Sequence, residues 1–148
     1  LTVLLLGVAY LIGSVPAGYL AGRWARGIDL RDHGSGNLGA TNTFRVLGPA
    51  LAVPVLVFDL GKGLVAAGLF PRLDGSEALA WSLAYGAAAI LGHIFPIFMR
   101  FRGGKGVATG AGVFIALSPA AAGVAFLTWA AILAVGRIMS VASIGGAV

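Results

Sequence analysis

Cysteine is absent from the 148 residues, which excludes disulfides, thiolate metal ligands and thioester intermediates and leaves the redox compartment undetermined. Charge is scarce as well. Only 10% of residues are charged, against 59% hydrophobic residues and a mean hydropathy of +0.97, which no ordinary water-facing surface accommodates. With two histidines and five acidic residues scattered along the chain, no cluster has metal-ligand spacing and no carboxylate pair presents itself for acid–base work. No hydroxyl has an evident neighbouring base, and neither His33 nor His93 is followed by Asp in a His-x4-Asp pattern. A broad basic face with stacking aromatics is missing too, so nucleic acid is not an expected partner.

What is present is a series of long apolar runs. They predict an all-α, polytopic membrane helix bundle with about five spans in one membrane domain over residues 1–148. Leu1–Gly22 is the first span. It lacks a basic leading region and runs past the usual apolar length of a signal peptide, which argues against a cleaved signal. Pro16, beside Gly13 and Ser14, should bend it and free a carbonyl for another partner. Leu51–Phe70 is the second span, and Pro71–Glu77 is read as a short polar turn. The third runs from Ala78 to about Phe98, with Trp81 and Tyr85 as interfacial anchors. Val107–Leu117 and Ala120–Val135, separated by Ser118-Pro119, are read as a crossing hairpin. That arrangement puts Arg23, Arg26, Arg31, Arg45, Arg100, Arg102, Lys105 and Arg137 on one side and only Arg72 on the other, with an external N-terminus.

Two polar loops lie on the basic side. One reads Gly34-Ser35-Gly36-Asn37-Leu38-Gly39-Ala40-Thr41-Asn42, followed by Arg45. Its glycines can bring backbone N–H groups together, and Ser35, Asn37, Thr41 and Asn42 add short polar side chains suited to an anion. If a helix starts near Thr41, the Arg45 guanidinium faces the same end. The other loop, Gly103-Gly104-Lys105-Gly106, is expected to form an anion-binding nest ahead of a helix beginning at Val107. It is not a Walker loop, because Gly106 stands where a hydroxyl residue must follow the lysine. The Arg137–Ser143 segment is a third element expected on this face.

Asp59 and Lys62, three residues apart, share a helical face deep in the second span. They form either a self-neutralising pair or part of a site. Gly61 and Gly63 beside them would admit a neighbouring helix. His93 is expected to satisfy a neighbouring carbonyl. The inventory favours positioning and charge stabilisation over covalent catalysis, and hence a substrate that arrives already activated.

These residues carry a family resemblance. The Gly34–Asn42 segment, Phe58-Asp59-Leu60-Gly61-Lys62-Gly63, and Gly92-His93-Ile94-Phe95-Pro96 leading to Gly103-Gly104-Lys105-Gly106-Val107-Ala108-Thr109 resemble the PlsY family of bacterial glycerol-3-phosphate acyltransferases, in the right order from about Gly13 to Ser143. The resemblance implies a multi-pass enzyme of the bacterial inner membrane with its site on the cytoplasmic face. It would move a fatty acyl group from acyl phosphate to the sn-1 hydroxyl of glycerol 3-phosphate, with no cofactor and no metal. It assigns Ser35, Gly36 and Asn37 to the acyl-phosphate end, and Arg45, Lys105 and Ser143 to glycerol 3-phosphate. Attack would be direct, the departing phosphate taking the proton, with Ser35, Asn37 and Arg45 closest to the chemistry. Gly34, Thr41, Asn42, Gly103, Gly104 and Gly106 would help bind substrate, and His93, Asp59 and Lys62 are further candidates. Family members usually have seven membrane helices and a further His and Asn of the site near the C-terminus, so the resemblance implies a chain truncated at that end. A small transporter of a phosphate-bearing anion is the alternative, since it would also place glycine turns and arginines at a membrane face.

Overall fold

The first span breaks where its proline demands. In the computed structural model, which describes residues 1–76 and 78–136, α1 (Thr2–Ser14) gives way at Val15 and Pro16 to α2 (Ala17–Arg26). Proline has no amide hydrogen and its ring crowds the carbonyl four residues back, so it kinks or breaks a helix. The Pro49–Gly68 helix carries Pro54 through, whereas at Pro16, beside Gly13 and Ser14, the helix breaks. The break frees the carbonyls of Gly13 and Val15. Lys62 takes both, with Nζ at 2.9 and 3.3 Å.

The other helices are α3 (Ala40–Leu47), α4 (Pro49–Gly68), α5 (Phe70–Asp74), α6 (Leu79–Ile94), α7 (Val107–Leu117) and α8 (Pro119–Gly136). Short 3-10 turns cover Leu30–Asp32 and Ile97–Met99, and among the described residues there is no strand. Three stretches are long and apolar enough to cross a membrane: Thr2–Arg26, Pro49–Asp74 and Leu79–Met99, of 25, 26 and 21 residues. The shorter apolar helices α7 and α8 double back on each other, since Val107 and Trp129, which flank Ser118 at equal separation, line one cavity.

The expected polar turn after the second span is corrected at its start. Pro71–Asp74 is helical, because a proline in a first helical turn loses no hydrogen bond, and Gly75 in the left-handed region (φ 73°) ends the segment. The third span, Leu79–Met99, ends close to the expected Phe98, but its regular helix α6 stops at Ile94, since Pro96 disfavours helical backbone at Phe95 (φ −120°, ψ 61°). Tyr85 is no interfacial anchor. It is fully buried, edge-on to Phe70 at 5.9 Å between ring centres, with its hydroxyl hydrogen-bonded to the Asp74 carboxylate. Trp81, nearer the helix start, is the exposed member of the pair.

Small residues bring the helices together. A Cβ on Gly13 would stand 2.2 Å from the Ala89 carbonyl oxygen, and one on Gly92 would stand 2.1 Å from that of Tyr10, so α1 and α6 touch backbone to backbone. Gly63 does the same between α4 and α7. Gly61 does not, because two residues at about 100° each put it on the far side of the helix, where nothing lies within 4 Å. The core between these helices is Ala9, Ala66, Phe70, Tyr85 and Ala89. A second cluster of Leu30, Leu38, Leu47 and Met99 anchors the 28–47 segment, each side chain contributing about 1.5–3 kcal/mol by burial. Leu4, Val57, Leu83 and Leu91 face outward, as a lipid-solvated bundle requires.

Candidate active site

The two polar loops meet where α3 and α7 begin. Between them lies a cavity of about 550 Å³. It is lined by Ser35, Asn37, Thr41, Asn42 and Arg45 from the first loop, by Lys105 and Gly106 from the second, and by Asp59 and His93 at its floor. Among the expected site residues, Gly34, Gly36, Gly103, Gly104 and Lys62 are not part of this wall. Ser143, with Arg137 and Ser140, lies outside the described residues.

The first loop is not an open nest. Gly34 and Gly36 do adopt positive φ, at 61° and 71°. Three of its backbone donors, however, are already used: Ser35 N–H donates to Asn42 Oδ1 (2.9 Å), Gly36 N–H to the His33 carbonyl (3.1 Å) and Gly39 N–H to Asn37 Oδ1 (2.8 Å). Asn42 Nδ2 donates in turn to the carbonyls of Leu30, His33 and Asn37 at 3.3, 3.0 and 2.9 Å. A packed loop must pair its backbone groups internally, and an amide side chain with both donors and an acceptor can do so. Asn42 is therefore the staple of the loop, although part of it reaches the cavity. What remains toward the cavity is Ser35, Asn37, Thr41, Arg45 and the first turn of α3. The N-cap of α3 is Gly39, with no side-chain cap and no acidic residue in the first turn.

The glycine loop departs from expectation in the same way. Gly103 N–H donates to the Ile94 carbonyl and Gly104 N–H to that of His93, both at 3.1 Å, closing the C-terminus of α6. Neither glycine has positive φ; Arg100, Phe101 and Gly106 do, at 53°, 61° and 75°. Gly103 and Gly104 are needed for close approach instead. A Cβ would stand 2.0 Å from the His93 carbonyl oxygen at Gly103 and 2.1 Å from His93 Nε2 at Gly104. Gly106 is the N-cap of α7, again with no side-chain cap and no acid in the first turn. The cavity thus receives two uncapped helix N-termini, each equivalent to about half a positive charge, together with Arg45 and Lys105.

Beneath them, Lys62 Nζ lies 2.8 Å from Asp59 Oδ1, with both side chains 2% exposed. His93 Nδ1 stands 3.5 Å from the same carboxylate oxygen, so its ring faces Asp59 rather than the carbonyl expected from the sequence. The rest of the wall is apolar: Leu56 and Leu60 of α4, Val107 and Ala111 of α7, and Phe126 and Trp129 of α8, whose rings stack at 5.9 Å. Sequence reasoning missed these residues, because one apolar side chain in an apolar helix looks like any other.

Comparison with known proteins gives the family. The family model described as "Glycerol-3-phosphate acyltransferase" matches residues 3–148. The glycerol-3-phosphate acyltransferase of Desulforudis audaxviator is 50% identical over 142 residues, covering 96% of this chain and 70% of the relative. Among solved structures, the glycerol 3-phosphate form of PlsY (YgiH), an integral membrane glycerol 3-phosphate acyltransferase, superposes with a TM-score of 0.85 at 41% identity, covering 98% of this chain and 72% of that one. Its lysophosphatidic acid form superposes at 0.82 and 39% identity, covering 98% of this chain and 71% of that one. Sequence and bundle agree over nearly the whole length, and the chain belongs to the glycerol-3-phosphate acyltransferase family.

Proposed function

We propose that the protein acylates the sn-1 hydroxyl of glycerol 3-phosphate with a fatty acyl group taken from an acyl phosphate, yielding lysophosphatidic acid and inorganic phosphate in phospholipid biosynthesis. One observation carries this reading: a single cavity is cationic at one end, where two helix N-termini meet Arg45 and Lys105, and apolar at the other. Phosphates suit the first end. An acyl chain suits the second, where Leu56 and Phe126 are exposed outward and would let it lie against lipid.

The substrate's primary hydroxyl attacks the carbonyl carbon of the acyl phosphate, the carbon–oxygen bond to phosphate breaks, and the departing phosphate takes the hydroxyl proton. A mixed anhydride is already activated, so the chain need only hold two anions and orient the attack. Ser35, Asn37, Thr41 and the start of α3 serve the donor phosphate. Arg45, Lys105 and the start of α7 hold glycerol 3-phosphate, with Ser143 assigned there on the resemblance alone. The basic residues of the cavity face would lie on the cytoplasmic side of the inner membrane.

The decisive experiment is phosphate release from palmitoyl phosphate by the purified protein, with and without glycerol 3-phosphate. Release that requires glycerol 3-phosphate and yields lysophosphatidic acid is expected; release indifferent to it would sink the proposal. For the topology, the absence of cysteine makes single-cysteine labelling simple. Trp24→Cys, at an 82% exposed position, should react with an impermeant maleimide only from the cytoplasmic side.

A further inference from the structure

The floor of the cavity holds a chain of contacts that acyl transfer as described above leaves unused. Lys62 Nζ sits among three oxygens: the Gly13 and Val15 carbonyls at 2.9 and 3.3 Å and Asp59 Oδ1 at 2.8 Å. The two carbonyls accept hydrogen bonds from the ammonium, and the carboxylate balances its charge. Asp59 Oδ1 also has His93 Nδ1 at 3.5 Å and no aligned hydrogen bond of its own, so its contacts are those of charge with charge. His93 in turn meets the glycine loop twice. Its carbonyl accepts from Gly104 N–H at 3.1 Å, and its ring occupies the space a Gly104 Cβ would need, with Nε2 2.1 Å from that position. The next residue is Lys105.

A pair that only stapled α4 to the break in the first span would have no reason to stand on the cavity wall, where both Asp59 and His93 are found. Nor is stability a sufficient reason. Buried ion pairs give back about what they cost in desolvation, and apolar replacements are often neutral. We propose that Lys62, Asp59 and His93 form a positioning relay. Lys62 fixes Asp59 against the broken first helix, Asp59 fixes the His93 ring, and the ring sets the height of Gly104, and so of Lys105 and the first turn of α7, against the acceptor phosphate. The three are positioning residues and touch no reacting atom. This inference rests on the assignment of Lys105 to glycerol 3-phosphate.

The test is the double variant D59N/K62M, which removes both buried charges together and keeps the side-chain volumes. Three quantities are read on the purified protein in detergent: melting temperature, glycerol 3-phosphate affinity by calorimetry without donor, and KM for palmitoyl phosphate. The relay predicts a melting temperature lowered by no more than the one stranded Gly13 carbonyl costs, affinity for glycerol 3-phosphate weaker by about tenfold, and an unchanged KM for palmitoyl phosphate. Wild-type affinity in a folded double variant overturns the relay. So does an equal loss for both substrates, which marks general damage.

Should the double variant fail to fold, G104A gives the same reading from the loop, because its Cβ must displace the His93 ring from its place between Gly104 and Asp59. An affinity about tenfold weaker is again expected, and an unchanged one overturns the relay. A wild-type protein that binds glycerol 3-phosphate without turning over would refute acyl transfer while the relay is still judged on affinity. One that does not bind glycerol 3-phosphate overturns the relay as well.

Discussion

Gly63 and Gly112 are reciprocal contacts between α4 and α7. A Cβ on Gly63 would come 2.0 Å from the Thr109 carbonyl oxygen, and a Cβ on Gly112 would come 1.9 Å from that of Leu60. No side chain can yield at these points, because both obstacles are backbone. Gly63→Ala and Gly112→Ala should each force the helices apart and cost about 1–3 kcal/mol. Gly61→Ala, on the open side of the same helix, should be neutral or stabilising by up to about 1 kcal/mol. Thermal unfolding of the three variants in detergent checks the contrast, and equal effects at 61 and 63 would refute it.

Lys62→Met alone should be far worse than the double replacement D59N/K62M. It leaves the Asp59 carboxylate, 2% exposed, without its countercharge, whereas the Gly13 carbonyl loses its partner in both variants and the Val15 carbonyl keeps the Ala17 N–H. Breaking a buried pair from one side costs about 3–5 kcal/mol. A melting temperature that does not fall, or a double variant less stable than the single one, would contradict the pairing.

Asn42→Ala should loosen the Ser35–Asn42 loop as a unit. The amide accepts from Ser35 N–H and donates to three carbonyls, and the side chain is buried. Leaving such groups unpaired costs about 1–3 kcal/mol. Proteolysis or hydrogen exchange should report the opening at residues 33–37, and turnover should drop with it. Unchanged protection there would mean that the staple is dispensable.

Arg45→Ala and Lys105→Ala should each raise KM for glycerol 3-phosphate by about 10- to 100-fold, the value of one charge-assisted hydrogen bond. Neither should change KM for the acyl phosphate as much. An Arg45→Ala enzyme with normal turnover at low glycerol 3-phosphate would overturn its assignment.

Asp29 and Arg31 make a bidentate pair on the loop surface, with Arg31 Nη2 2.6 Å from Asp29 Oδ2 and Nε 3.1 Å from each carboxylate oxygen. The hydrogen bond from Arg31 holds the Asp29 carboxyl below the ordinary carboxylate range. A depressed carboxylate contributes stability above the unfolded value of about 3.9 and loses it as pH falls through the lower folded value. Asp29→Asn should therefore differ slightly from the wild type at neutral pH, and the two should converge below about pH 4. Because the pair is exposed, salt should shrink the difference, and a gap that widens in acid would reverse the sign argued here.

The sequence by itself determined the helical bundle, a disturbance of the first span at Pro16, the two polar loops that line the cavity and the start of a helix at Val107. These follow from local causes: the length of an apolar run, the missing proline N–H, and the scarcity of polar residues outside two segments. Tertiary structure decided which polar groups remained available. Gly103 and Gly104 looked like anion donors until the open end of α6 took their N–H groups, and Asn42 looked like a ligand until the loop carbonyls took its amide. Burial of Tyr85, the choice of Gly63 over Gly61, the facing of His93 and Asp59, and the wall of Phe126 and Trp129 were likewise settled by packing. Each depends on a partner far away in the chain, and a hydrogen bond or a van der Waals contact is specific to that partner, not to residue type alone.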